Sequence, residues 1–243
     1  MHKNSKVAIV AALEREVRPL IRSWRVAERD HQGRRFKFFE NDRVVLVCGG
    51  IGAEAARRAG EAVIALYDPG LVLSVGFAGA LDPKLRAGAL FAPATVVDIG
   101  DGSRVETGAG DGVLVSLASI AGTEQKAKLA AAYGAQAVDM EASAVARAAQ
   151  AHGIRFSTLK AISDESDFVM LPMQRFLDAD GQFSSAKLVA YAALRPWLWL
   201  RLVRLARNSS LAAKALCAAL DRYNRPAEMS AAPELQPAVG RER

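Results

Sequence analysis

Short apolar runs of strand length alternate with helical periodicity over the first two thirds of the chain. Residues 6–12, KVAIVAA, switch abruptly to charge, which is the pattern of a buried strand. From Glu14 to Arg25 the spacing turns helical, with Val17, Leu20 and Ile21 on one face. Residues 34–40 and 43–48 predict two strands joined by a turn at Asn41-Asp42. The second strand ends in Gly49-Gly50-Ile51-Gly52, an alanine-rich helix follows to about Tyr67, and Asp68-Pro69-Gly70 breaks it. LVLSVGFAGAL then predicts a strand opening into a glycine-rich loop.

Residues 89–99 suit another strand, and the five glycines in 100–112 predict a loop. A short strand near 113–117 precedes a helix from Glu124 to Tyr133. AVDMEASAVARAAQAHG predicts a strand end running directly into a helix that Gly153 stops. A β-rich run over 155–163 closes on Ile162-Ser163-Asp164, and after Pro172 the pattern is mostly helical to Tyr223. Strands alternating with helices imply an α/β fold, a single domain over residues 1–223 with a mainly parallel or mixed central sheet covered on both faces. Residues 224–243, rich in Pro, Ala and Glu, predict a disordered tail.

Composition narrows the function classes. Half of the 243 residues are hydrophobic and a quarter charged, the balance of a soluble globular protein. Cys48 and Cys217 have neither disulfide nor zinc spacing, which suits a reducing, cytoplasmic setting. The N-terminal apolar stretch runs straight into charge, unlike a signal sequence. A net charge of +6 raises nucleic-acid binding, but the arginines are dispersed and no binding motif accompanies them, so no nucleic acid is expected. The exception to that dispersion is Arg195, Arg201, Arg204 and Arg207.

Candidate chemistry centres on carboxylates. Glu16 lies just past the first strand, Glu141 at a strand-to-helix junction, and Asp164 at the end of a late strand. Each alone could be a helix cap or a solvated acid. Three acids at strand ends, in a chain whose histidines (His2, His31, His152) sit in terminal, loop or helix-end contexts, point to carboxylate acid/base chemistry without a metal or cofactor. The glycine-rich segments GGIGAEAA and GFAGAL follow strands, where α/β proteins bind ligands, yet match no dinucleotide or phosphate-loop pattern.

Five segments carry a family resemblance: ALEREV (12–17), GGIGAEAA (49–56), SVGFAGAL (74–81), AVDMEASAVA (137–146) and KAISDESD (160–167). In order and approximate spacing they resemble the purine nucleoside phosphorylase and methylthioadenosine/S-adenosylhomocysteine nucleosidase superfamily. The resemblance implies a phosphorylase/hydrolase-like three-layer sandwich and cleavage of a purine nucleoside. It assigns Asp164 as the acid that protonates the departing base, with the apolar neighbours Ala161 and Ile162 helping to keep its carboxyl protonated. Glu16 becomes the acid that orients or deprotonates water, and Glu141 the one that holds the ribose hydroxyls. Met140 packs on the sugar, Phe77, Ala78 and Gly79 approach the base, Ser163 supports Asp164, and Ile120 lines the base side. A homodimer is implied as well.

The chain departs from phosphorolytic relatives, with Ser74 and Phe77 where a phosphate-binding Arg and Ser are expected. Water is therefore favoured over phosphate, although Arg34, Arg35 or Arg86 could supply a cation. Between Asp167 and the final helix RNSSLAAKALCAAL lies a helical insertion at about 168–206, with Trp197 and Trp199 interleaved with Arg201 and Arg204. Its bland reading is a core or subunit-interface helix; its functional reading is peripheral membrane contact through residues 194–206 or a greasy substrate. With DADGQF and LRPWLW, it resembles the hopanoid-associated branch, which implies adenosylhopane as the lipid-linked substrate. The alternatives are a phosphorolytic enzyme, a methylthioadenosine/S-adenosylhomocysteine nucleosidase, and an inactive relative that binds nucleoside or lipid.

Overall fold

The computed structural model describes residues 4–170, 173–176, 178, 181 and 183–221. It begins β1 (Asn4–Ala11), α1 (Glu14–Ile21), β2 (Arg25–His31), β3 (Arg34–Glu40), β4 (Val44–Cys48), α2 (Ala53–Tyr67) and β5 (Pro69–Ala80). It continues through β6 (Leu90–Phe91), β7 (Thr95–Asp98), β8 (Arg104–Glu106), β9 (Val113–Ser116), α3 (Thr123–Tyr133), β10 (Ala137–Asp139) and α4 (Ala142–Ala151). After β11 (Arg155–Asp164) come α5 (Ser185–Ala193) and α6 (Trp199–Leu220).

The strands make one mixed sheet, in the order β2-β3-β4-β1-β5-β10-β9-β7-β8, with β11 beside β5 and β6 beside β11. Alternation along each strand sends its side chains to two helical layers. Ala8, Val10, Val45 and Val47 pack with residues of α2 and α4, while Ile9, Ala11, Val44 and Leu46 pack with residues of α1 and α6. A third cluster, with Val115 and Leu129, joins α3 to β9. The result is an α/β fold of three layers around a central mixed sheet.

The centre of the sheet is where the strands part. β1 runs parallel to one edge of β5 as far as Ser74, and β10 meets β5 antiparallel only at Gly79 and Ala80. β11 follows the other edge from Leu71 to Gly79. Residues 75–78 of β5 therefore face a gap between β1 and β10, the kind of switch point at which open α/β sheets bind ligands.

Several elements differ from the pattern read in the sequence. α1 stops at Ile21, and β2 follows, unforeseen because its side chains are mostly exposed and charged. A sheet edge held by backbone pairing to β3 needs no apolar alternation. The glycines of SVGFAGAL lie inside β5 rather than in a loop, because pairing to β11 runs through Gly76 to Gly79. The segment 89–99 is split into β6 and β7, and β8 forms within the glycine-rich stretch by pairing antiparallel with β7. The later part of the Trp/Arg segment, from Trp199, runs without a break into the final helix, and together they form α6 (Trp199–Leu220). The predicted tail at 224–243 lies outside the described residues.

α6 has two characters. Ala212, Leu216 and Leu220 are fully buried against the sheet and α1, whereas Leu200 is 84% exposed and Val203 66% exposed. Leu216→Ala is expected to lower stability by about 2–5 kcal/mol, and Leu200→Ala to change it by less than about 0.5 kcal/mol. Denaturant melts of the two variants check this, and equal losses would contradict the division of the helix.

Candidate active site

A cavity of about 750 Å³ opens at the gap in the sheet. Its floor is built from strand ends. Glu16 enters from the first turn of α1, immediately after β1, and is buried. Its Oε2 has no hydrogen-bond partner among the described residues. Burial, reinforced by the charge of Glu141 and opposed by Lys160 and Arg15, pushes the Glu16 carboxyl up to about 8. Room for it comes from Gly76, where a Cβ would stand 2.8 Å from Oε2 and φ is +144°.

Glu141 sits at the start of α4 without capping that helix through its side chain. Instead, Oε1 accepts the backbone N–H of Gly52 at 2.8 Å, and Oε2 accepts that of Met140 at 3.3 Å. The GGIG segment thus holds an acid through the N–H of Gly52. Burial, followed by repulsion from Asp139, lifts Glu141 to about 7 against the pull of Lys160 and its two N–H partners. Between the carboxylates lies Lys160, fully buried in β11, paired to Asp139 at 2.7 Å and donating to Ser74 Oγ at 3.2 Å. Burial disfavours its ammonium, but Asp139, Glu141 and Glu16 outweigh that and hold it above the usual lysine value. Asp139 is anchored further by Ser116 Oγ at 2.5 Å and the N–H of Ala142 at 2.9 Å.

Asp164 ends β11 beyond a register shift: Ile162 pairs with Ala78 and Asp164 with Gly79, leaving Ser163 as the extra residue. Such a bulge re-aims side chains, and both Ser163 and Asp164 line the cavity. Ser163 Oγ donates to Asp164 Oδ1 at 2.8 Å. Lys126, buried in the first turn of α3, donates to Asp164 Oδ2 at 2.5 Å and to the carbonyl of Glu165 at 2.9 Å. The acid is therefore held by a buried ion pair, which corrects the expectation of an apolar setting made by Ala161 and Ile162.

All nine residues singled out in the sequence line this one cavity: Glu16, Phe77, Ala78, Gly79, Ile120, Met140, Glu141, Ser163 and Asp164. Arg34, Arg35 and Arg86 do not; Arg35 pairs with Asp30, and Arg86 stands 3.9 Å from Glu165. Lys126, Lys160 and Asp139 were missed. Two signals pointed to the lysines: a cation in the first turn of a helix, where the helix dipole disfavours it, and a charge inside an otherwise apolar strand. Among the described residues, no group of three His, Cys, Asp or Glu is placed to hold a metal ion.

The roof is apolar and comes from Phe183 and the helices α5 and α6. Phe183, Leu188, Val189, Trp199, Leu202 and Leu205 line it. Trp199 is pinned by its indole N–H, which donates to the carbonyl of Ala192 at 2.9 Å. Arg15 lies at the junction of floor and roof, its guanidinium 4.9 Å from the Phe183 ring.

This three-layer fold, with its site at the parted centre of the sheet, is that of the phosphorylase superfamily, and the chain belongs to it: the family model matches residues 6–117 and 111–190. Among solved structures, futalosine hydrolase of Helicobacter pylori is similar at TM-score 0.65 and 20% identity, over 91% of this chain and 99% of that one. A Helicobacter pylori MTAN mutant with 5′-methylthioadenosine in the active site aligns at TM-score 0.64 and 18% identity, covering 89% and 98% of the two chains. The 5′-methylthioadenosine/S-adenosylhomocysteine nucleosidase of Colwellia psychrerythraea, in complex with adenine, aligns at 0.59 and 23%, covering 68% and 85%. Comparison with curated protein sequences finds no match.

The raised carboxyls have a consequence for stability. Glu16 rises from an ordinary 4.5 to about 8, so between those values the folded state keeps a proton that the unfolded chain has released. Its contribution is full below the unfolded value and is lost as pH rises through the folded one. Glu16→Gln removes this loss, so its melting temperature relative to wild type is expected to climb from about pH 5 to about pH 9. Thermal melts across that range check it; an offset independent of pH would contradict it.

Proposed function

We propose that the protein hydrolyses the N-glycosidic bond of an adenine nucleoside carrying a large apolar 5′ substituent, with adenosylhopane as its substrate. One observation carries this reading: a single cavity joins a floor of buried carboxylates to a roof of apolar side chains. The likeness to methylthioadenosine/S-adenosylhomocysteine nucleosidases and to a futalosine hydrolase supports nucleoside cleavage.

In this reading Asp164 delivers a proton to a ring nitrogen of the purine, held in place by Ser163. The base lies along Phe77, Ala78 and Gly79, with Ile120 on its far side. Glu141 accepts from the ribose hydroxyls and Met140 packs on the sugar as it gains oxocarbenium character. Glu16, with a bare carboxylate oxygen and a value near neutrality, orients and deprotonates the attacking water, as suits a general base. Among the described residues, two cations line the cavity, Arg15 and Lys126, and they are stacked on Phe183 and paired to Asp164. A phosphate dianion needs several fixed cations or amides, which favours water as the nucleophile.

Product analysis with and without phosphate tests the reaction. Free adenine and the free sugar are expected in both cases, and a sugar phosphate formed only with phosphate would overturn the choice of water. Asp164→Asn is expected to slow release on the order of 10²–10⁴-fold, the share of a general acid. A wild-type protein that releases no adenine would favour the inactive-relative alternative.

The helical insertion at about 168–206 is proposed to receive the 5′ group and to touch a membrane surface, making the protein cytoplasmic and peripheral. No described helix is long and apolar enough to cross a membrane. Residues 181–220 contain no Asp or Glu but carry Lys187, Arg195, Arg201, Arg204, Arg207 and Lys214, beside exposed Val189, Leu194, Trp197 and Leu200. That mixture suits an anionic bilayer. Each buried methylene contributes ~0.8 kcal/mol, so a polycyclic hydrocarbon could dominate binding. Trp199→Ala is expected to raise KM for a long-chain 5′-alkylthioadenosine while sparing methylthioadenosine, and Trp197→Ala to weaken vesicle association alone. A wild-type preference for methylthioadenosine would end the lipid reading and leave the nucleosidase one. We propose a homodimer as well, for which light scattering is the check.

A further inference from the structure

The reaction proposed above uses Asp164 as the acid, but the geometry around that side chain is not that of an isolated carboxyl. Both of its oxygens are engaged by donors, Oδ1 by Ser163 and Oδ2 by Lys126. The Lys126 and Asp164 side chains are both almost completely buried, at 3% and 6% exposure. Gly79 closes the arrangement from the sheet side: a Cβ there would lie 2.8 Å from Asp164 Oδ2 and 3.2 Å from Lys126 Nζ. Among the described residues, the lysine pairs with no other carboxylate. Its second acceptor is the neutral carbonyl of Glu165, whereas the other buried lysine, Lys160, is bound to Asp139.

From this geometry we infer that Lys126 is a positioning residue that acts through Asp164, and that it is the source of the proton the leaving purine takes. The inference rests on the N-glycosidase reading. A buried ion pair gains from mutual attraction only what exceeds the loss of both hydration shells, so the neutral pair draws closer in energy as water is removed. A nucleoside with a greasy 5′ group filling the cavity removes that water. The Lys126 ammonium then passes one proton to Asp164 Oδ2, and the carboxyl passes one to a ring nitrogen of the base. The electron pair of the C1′–N9 bond leaves with the purine, which departs neutral. Water adds to C1′ and gives its proton to Glu16. The cycle closes when Glu16 returns a proton to solvent and Lys126 takes one back. Without the lysine, Asp164 would have to draw its proton from solvent each turn.

Arginine separates this role from simple charge pairing. It keeps a buried cation beside Asp164 but does not deprotonate in proteins. The test uses two soluble substrates with the same 5′-alkylthio chain: the adenine nucleoside, and the p-nitrophenyl riboside, whose phenolate leaves without a proton. Lys126→Arg and Lys126→Met are each expected to slow adenine release on the order of 10²-fold, as for loss of acid assistance. Nitrophenolate release should change by less than about threefold, as expected where no proton is needed. Thermal melts confirm that the variants are folded, and Lys126→Arg, which preserves the buried charge, serves where Lys126→Met does not fold. Full adenine release by Lys126→Arg would overturn the inference, as would equal loss on both substrates. Either result leaves the N-glycosidase reading standing. A wild-type protein that releases neither adenine nor nitrophenolate overturns that reading and this inference with it.

Discussion

Lys160 is the charge on which the centre of this molecule depends. Glu16, Asp139 and Glu141 crowd one end of a hydrophobic sheet, and burying so many carboxylates without a cation would be strongly unfavourable. Lys160 answers this from the middle of β11, bound to Asp139 and close enough to Glu16 and Glu141 to pull both downward. It does not neutralise them fully. Burial, added to the remaining repulsion, leaves Glu16 and Glu141 well above ordinary carboxylates, at about 8 and about 7. A fully balanced cluster would be more stable and less able to exchange protons. The arrangement illustrates how function draws on stability held elsewhere, here in the packed valines of β4 and the buried half of α6.

Backbone geometry decides where those charges meet. β5 has β1 along one edge and then β10, and the change of partner leaves an unpaired stretch in mid-sheet. Acids that follow β1, β10 and β11 converge there because each of those strands ends at the same gap. Two local features sharpen the convergence. The bulge at Ser163 turns two consecutive polar side chains into the cavity, and Gly76 and Gly79 let carboxylates approach the backbone closely. A methyl group at either glycine would displace the acid beside it.

The roof follows a different logic from the floor. It consists of apolar side chains from Phe183, α5 and the first half of α6, and the surface around it is basic and exposes Leu194, Trp197, Leu200 and Val203. A helix that is buried at one end and greasy at the other cannot be explained by core packing alone. In the proposed reading, the same hydrophobic effect that seals the core of the domain selects the substrate. The carboxylates beneath set the chemistry, while the area of hydrocarbon covered sets affinity.

The sequence by itself determined the alternation of strands and helices, the α/β class, the three acids, and the residues beside them that share the cavity. Those are properties of period and of short segments, because a strand end followed by an acid reads the same in any context. It did not reveal β2, whose charged side chains carry no apolar signal, or the continuity of β5 through its glycines. Nor did it reveal that Lys126 and Lys160 are buried, since a lysine in a helix or strand is ordinarily solvated and its partners here are 38 and 21 positions away along the chain. Only the tertiary structure decided which cation meets which acid, for ion pairing depends on distance in space and the strand order that sets this distance arises from long-range pairing.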